Sequence, residues 1–319
     1  MDEDLEKIGK QGGSNSPLLY SFKGGLALEK TIKKSAILMV LPLILFFVFL
    51  TIFPFLYMLF MSFHHYNLLE WKPPYFIGLE NYINVFKDQG VKSSLSFTIT
   101  LVLVALPIEI LLGTFIAIFI QNLIGEKFVR SVLLIPMMVP AVVAGVMWKM
   151  LFNVEYGPVN YFLSLLNIDK IPWLGSSFYS KVAVIIMDIW QWTPFIFLVL
   201  YAGIQTIPQD LIEAGKVDGA NRWMILRHIE FPMLKPLFWI LIILRLVDIL
   251  KLFDIVYMTT FGGPGYATHS ISFYIYKVSV SFGWDVGYGS ALSVLLLVVI
   301  TILTTILIRT MRLWELLEL

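Results

Sequence analysis

Six stretches of this chain are each long and apolar enough to cross a lipid bilayer, and they decide what it can fold into. They run Ser35–Phe63, Leu95–Ile120, Ser131–Phe152, Val182–Gly203, Leu237–Tyr257 and Gly289–Ile308. A helix covers about 30 Å of hydrocarbon with about 20 residues, so each stretch suffices. Charged residues make up only 14% of the 319 residues and hydrophobic ones 58%. A soluble domain carries roughly 25% charge, so this chain cannot cover a compact body with polar surface. The expectation is an all-α integral membrane protein with six transmembrane helices. Pro42, Pro54, Pro107, Pro136, Pro140 and Pro194 fall in or near the spans and argue against straight rods. The first span exceeds a signal-peptide core and no small-residue cleavage site follows it, so it reads as a retained helix.

Six spans place both termini on one side, and the basic residues say which. The segments 1–34, 121–130, 204–236 and the C-terminal end hold fourteen Lys and Arg, against five in 64–93, 153–180 and 259–288. The positive-inside rule then makes both termini cytoplasmic. Residues 1–34, with their "GKQGGSNSP" run, read as a disordered cytoplasmic tail. Residues 35–310 form the transmembrane domain, with a cytoplasmic loop at 204–236, and 311–319 form a short cytoplasmic end. Trp71, Trp148, Trp173, Trp190, Trp192, Trp284 and Trp314 mostly fall near span ends, as interfacial anchors do.

Several functions are excluded early. With 0 Cys there is no thiolate metal site or redox pair, and the four His (His64, His65, His228, His269) form no metal-binding motif. A net charge of +1 without a basic tract gives no footprint for nucleic acid. No glycine-rich loop ends in Gly-Lys-Ser/Thr; Gly9-Lys10 and Gly215-Lys216 lack the rest of the motif. No catalytic constellation stands out, and any use of ATP falls to a partner.

The 204–236 segment, "IQTIPQDLIEAGKVDGANRWMILRHIEFPMLKP", is long for a turn. Pro208 and Asp210 suit a helix start, and Leu211, Ala214 and Val217 recur at helical spacing. Gly219 permits a turn, and a second short helical run around Trp223 and Leu226 is expected to end at Pro232 and Pro236. Two short helices with an apolar face, edged by Glu213, Asp218, Arg222 and Arg227, suit either docking into another protein's groove or resting on lipid headgroups.

The segment also resembles a known motif. Membrane subunits of binding-protein-dependent ABC importers carry a cytoplasmic loop of pattern E-A-A, three residues, G, nine residues, I, one residue, L-P. Here Glu213-Ala214-Gly215, Gly219 and Ile229-Glu230-Phe231-Pro232 match that spacing, departing at Gly215 and Phe231, and Val217–Ala220 ("VDGA") is similar too. "FIGLENYINVF" (Phe76–Phe86), "FNVEYGPVNYFL" (Phe152–Leu163) and "LFDIVYMTTFGGPGYAT" (Leu252–Thr268) resemble the maltose- and trehalose-type permeases. The resemblance implies a type I ABC importer permease fold in compact six-helix form, in a prokaryotic cell membrane. It implies a loop that couples to the ATPase through Glu213, Ala214, Gly215, Asp218, Gly219, Ala220, Ile229 and Pro232. Glu213 would pair with a basic group on the ATPase or cap a helix end. Implied partners are a second homologous permease subunit, two ATP-binding cassette subunits that bind ATP and Mg2+, and an extracytoplasmic sugar-binding protein. This chain itself would hold no cofactor. The implied substrate is a di- or oligosaccharide such as trehalose or maltose; a non-sugar solute such as glycerol phosphate is the alternative, and an ion-driven carrier a more distant one.

Charge inside a membrane is costly and must be answered. Glu109 lies mid-span in the second stretch. Arg245, Asp248, Lys251 and Asp254 lie in the fifth, three apart with alternating sign. They suit pairing along a helix stripe, lining of a path, or contact with a partner subunit, and Glu109 is placed to answer Arg245 across helices.

Overall fold

A computed structural model describes residues 37–121 and 123–311. The expected tail at 1–34, most of the C-terminal end and Trp314 lie outside these residues. The chain divides after Phe60. In the first unit a helix, α1 (Ile37–Met61, its last residue past the division), carries a π-helical stretch at Val48–Ile52 just before Pro54, and its side chains from Ile37 to Tyr57 are exposed.

The second unit holds everything else. A two-stranded ribbon pairs β1 (His64–His65) with β2 (Tyr75–Phe76) in antiparallel register, His64 opposite Phe76. Then follow α2 (Glu80–Lys87), α3 (Gln89–Phe119), α4 (Glu126–Met138), α5 (Ala141–Leu151), α6 (Pro158–Leu165) and α7 (Ser177–Gln205). After these come α8 (Gln209–Val217), α9 (Arg222–Ile225), α10 (Phe231–Leu250), α11 (Asp254–Thr259), α12 (Ile271–Tyr276) and α13 (Val286–Thr310). α3 and α7 form the central pair. Phe97, Leu101 and Ala105 of α3 interlock with Ala183, Val184 and Met187 of α7, and Ile249, Ile255 and Val256 close this core from α10 and α11. A second core toward the other end joins Ala117 to Ile196, Phe197, Leu200 and Leu241.

Among the described residues four helices, α1, α3, α7 and α13, are each long and apolar enough to cross a membrane. The third expected span is not one rod. It breaks between α4 and α5, which meet at 97°. The cause is local: Pro140 lacks an N–H and drives Val139 out of the helical region, to φ −77°, ψ 125°. Gln191 Nε2 of α7 donates to the freed Val139 carbonyl at 3.0 Å, so the break is satisfied by protein.

The fifth expected span is also interrupted. α10 stops at Leu250, and Asp254 opens a separate helix. Ser272 Oγ donates to Leu250 O and Ser270 Oγ to Leu252 O, which satisfies the carbonyls released there. The stripe from Arg245 to Asp254 therefore does not continue along one helix. Nor do Pro232 and Pro236 end the second short helix of the loop. α9 runs through a π-helical stretch, Leu226–Glu230, directly into α10, with Pro232 at its start and Pro236 inside. A π turn already shifts the ladder, so the missing N–H of Pro232 costs little there. Three of the tryptophans expected as anchors share an aromatic cluster: Trp148 meets Trp190 at 5.6 Å and Phe152 at 5.0 Å, and Phe152 meets Trp173 at 5.0 Å.

Candidate functional site: a buried charge cluster and an exposed helical loop

Glu109, Asp188 and Arg245 meet in the interior from three helices, α3, α7 and α10. All three side chains are almost completely buried. Arg245 Nε donates to Glu109 Oε2 at 2.8 Å and Nη2 to Oε1 at 2.8 Å, a two-pronged pair whose geometry matches the planar guanidinium. Nη2 also donates to Asp188 Oδ2 at 3.0 Å. The indole of Trp192, one turn from Asp188, lies under the guanidinium at 4.8 Å. Cross-helix pairing of Glu109 with Arg245 is thus present in the structure.

Asp188 escaped the sequence reading. Its signal is a single acid in the otherwise uncharged stretch Val182–Gly203, and any such charge needs an answering group. Asp248 and Lys251 differ in kind. Lys251 is exposed and Asp248 half-buried; Asp248 stands 4.0 Å from Arg245 and 3.9 Å from Lys251, at the limit of an ion pair. Asp254 is exposed in the first turn of α11.

The 204–236 loop folds into the two short helices expected of it. Pro208 caps α8 and Asp210 sits in its first turn, while Lys216 occupies the last, which suits the helix dipole. The exit is a Schellman turn: Ala220 N–H bonds Gly215 O at 2.9 Å and Gly219 N–H bonds Lys216 O at 3.0 Å, with Gly219 at φ +81°. Only glycine takes that conformation at little cost, which explains its place in the motif. Asn221 then caps α9, its Oδ1 accepting from Met224 N–H at 2.9 Å; this cap was not identified from the sequence.

Glu213 lies mid-helix in α8 and is exposed, along with Ala214. Asp218, Gly219, Ala220 and Ile229 line one notch of 230 Å³ at the loop's tip, and a methyl group on Gly215 would stand 3.2 Å from Ile229 Cδ1. Two of its large apolar residues are turned outward, Val217 at 88% exposure and Trp223 at 64%, while Ile225 and Leu226 are buried. Behind the loop, Arg222 pairs with the buried Glu230, and Tyr201 of α7 bonds Glu126 of α4. Between these two pairs lies a cavity of 450 Å³.

The family description "binding-protein-dependent transport system inner membrane component" matches residues 109–313, from Glu109 through the loop to the end of α13. The chain belongs to that family. Among its relatives is a trehalose/maltose transport system permease protein of Thermococcus litoralis, 36% identical over 281 residues, or 88% of this chain and 94% of that one. A sulfoquinovosyl glycerol transport system permease protein of Agrobacterium fabrum is 34% identical, over 87% and 90% of the two chains. A trehalose transport system permease protein of Mycobacterium tuberculosis H37Rv is 33% identical, over 87% and 88%. A solved bacterial ABC transporter involved in import of the acidic polysaccharide alginate shares the fold, with TM-score 0.79 and 24% identity, over 90% and 98% of the chains. An inner-membrane transport component of permease type is the setting in which both sites are to be understood.

Proposed function

We propose that this chain is the membrane-spanning permease subunit of an ATP-driven ABC importer for carbohydrate, a di- or oligosaccharide such as trehalose or maltose. The observation that carries the reading is the 204–236 loop: a capped helical knob with Val217 and Trp223 outward, in a chain whose relatives are sugar permeases. The chain forms half of the path, with six membrane crossings and both termini cytoplasmic. A second homologous permease forms the other half. Two ATP-binding cassette subunits bind ATP and Mg2+, and an extracytoplasmic binding protein delivers the sugar.

The mechanism follows from the connections. α8 and α9 join α7 to α10. A push on the knob from the ATPase therefore acts on both helices at once. Arg245, held by Glu109 and Asp188, ties α10 to α3 and α7, so the three move as one body rather than sliding. The loop residues Glu213, Ala214, Gly215, Asp218, Gly219, Ala220, Ile229 and Pro232 form the coupling element. Glu213, exposed and away from either helix end, supplies a charge to a basic group of the ATPase. Asp248, Lys251 and Asp254, at the break after α10, line the path with hydrogen-bonding groups suited to hydroxyls.

The Agrobacterium fabrum relative supports a second reading, a glycerol-bearing sugar or glycerol phosphate as solute. Purification of the tagged chain from its own membrane, followed by ATPase assays with the co-purifying binding protein loaded with candidate solutes, separates the two. Stimulation by trehalose or maltose supports the first. Stimulation by a glycerol conjugate alone supports the second, and stable complexes without any ATPase refute the importer.

A further inference from the structure

The connection between the broken third span and α7 carries a helix with no evident business in the path. α6 and its C-terminal cap residue Leu166 present Tyr161, Phe162, Leu165 and Leu166 on one stripe, at 62, 63, 61 and 70% exposure. Positions i, i+1, i+4 and i+5 share a helix face. The rings of Tyr161 and Phe162 meet edge-to-face at 5.8 Å.

The stripe cannot fold back on the protein, because the other side of α6 is pinned. Asn160 is buried; its Oδ1 accepts from Ile171 N–H and Trp173 Nε1–H, both at 3.1 Å, and its Nδ2 donates to Ile171 O at 3.0 Å. The approach from α5 is equally fixed. Asn153 Oδ1 closes an Asx turn on Glu155 N–H at 2.9 Å, and a Cβ on Gly157 would stand 2.5 Å from Leu151 O. Pro158 sets the first turn. Large apolar groups held outward in this way need a covering phase.

We propose that α6 lies in the membrane surface, with Tyr161, Phe162, Leu165 and Leu166 in the boundary between headgroups and acyl chains. Three observations favour lipid over a protein partner. The tether is short: six residues separate Leu151, the end of a membrane-embedded helix, from Pro158, and they are tightly turned. No charged residue occurs from Tyr156 to Ile168, so this face offers nothing to steer or orient a protein. The charges flanking it are gathered apart from the stripe, with Lys170 Nζ bonding Glu155 Oε2 at 2.9 Å between exposed side chains. An apolar stripe with a tyrosine and a phenylalanine and a separate charged edge is the pattern of an interfacial helix. The inference is independent of which solute is carried.

The chain has no Cys, so single cysteines can report the environment directly. Bimane is attached at Phe162→Cys, Leu165→Cys and, as the charged-edge reference, Lys170→Cys, in the full chain with its co-purifying subunits in phospholipid nanodiscs. Quenching is measured with lipids bearing a nitroxide high on the acyl chain and with aqueous iodide. The expected result is several-fold stronger nitroxide quenching at 162 and 165 than at 170, with iodide showing the reverse order. Iodide access at 162 and 165 equal to that at 170 overturns the proposal. So does protection from both quenchers, or loss of nitroxide quenching when binding protein is added, since either shows a protein cover. The two stripe positions are independent probes, so a folding defect in one leaves the other to decide.

Discussion

Replacing Arg245 by Met tests the charge cluster most directly. The side-chain stem is kept, so packing changes little, but two buried carboxylates lose their counter-charge. Three bonds of 2.8, 2.8 and 3.0 Å disappear together. Removing one partner of a buried pair costs about 3–5 kcal/mol, because the group left behind is unanswered. At roughly 2–4 °C per kcal/mol for a chain of a few hundred residues, the unfolding midpoint should drop by about 6–20 °C. The assay is fluorescence-detected size exclusion of the heated, detergent-extracted complex. Asp188→Asn alone should cost only about 1–2 kcal/mol, since the two-pronged Glu109 pair remains. Adding Glu109→Gln and Asp188→Asn to Arg245→Met should recover most of the loss, because no buried charge is left. If Arg245→Met melts with the unsubstituted chain, the cluster does not hold the three helices, and the proposed mechanical role fails with it.

Three further outcomes are expected. Glu213→Lys should leave the complex assembled but abolish sugar-stimulated ATP hydrolysis, measured on the reconstituted importer; unaltered stimulation would remove Glu213 from the coupling element. Gly219→Val forces a branched side chain to φ +81°, at about 1–2 kcal/mol, and should lower transport several-fold with membrane insertion intact; normal uptake would show the turn to be dispensable. His269, fully buried between Tyr266, Phe273 and Tyr274 with Lys277 Nζ at 3.4 Å from Nε2, is pushed down to about 4, first by desolvation and then by the Lys277 charge. The folded state resists protonation that the unfolded state accepts near 6.5. Stability is therefore lost as pH falls from about 6.5 to about 4, by no more than roughly 3 kcal/mol. His269→Gln should flatten that part of the thermal-stability profile, and an unchanged slope would assign it to other groups.

The parts of this molecule that the sequence made legible are those where physics leaves little choice. Glu109 and Arg245 stood out in advance because a charge at mid-membrane must be answered, although pairing, path lining and partner contact all remained open for them. The helical character of the loop at Gln209–Val217 and the turn at Gly219 followed from spacing and from glycine's freedom. Asp188 obeys the same rule as Glu109, but it stands near the start of its span beside Trp190, Gln191 and Trp192, where polar residues are ordinary. Pro140 warned of a bend. Its size, 97°, depends on Gln191 being present on another helix to take the Val139 carbonyl, and no local pattern contains that. Pro232 misled because a proline after a short helix usually stops it; here the π turn before it had already released the bond that proline would break. The break after α10 was hidden for a related reason, since Ser270 and Ser272, which satisfy the freed carbonyls, arrive from some twenty residues further on.

These features combine into one mechanical argument. The loop joins α7 and α10, and its second helix runs without interruption into α10 through the π stretch. A displacement of the knob thus enters α10 along its own axis rather than through a hinge. It enters α7 through Ile207 and Pro208, between the end of α7 at Gln205 and the start of α8. The next constraint along α10 is Arg245, which lies about three-quarters of the way up that helix and grips both α3 and α7. Above Arg245 the helix carries the half-buried Asp248 and ends at Leu250, and the exposed Lys251 and Asp254 follow. The rigid part of the coupling therefore stops where the polar, irregular part starts. On the proposed function, that order would carry force from an ATPase through a stiff segment to broken helices with hydrogen-bonding groups at Asp248, Lys251 and Asp254.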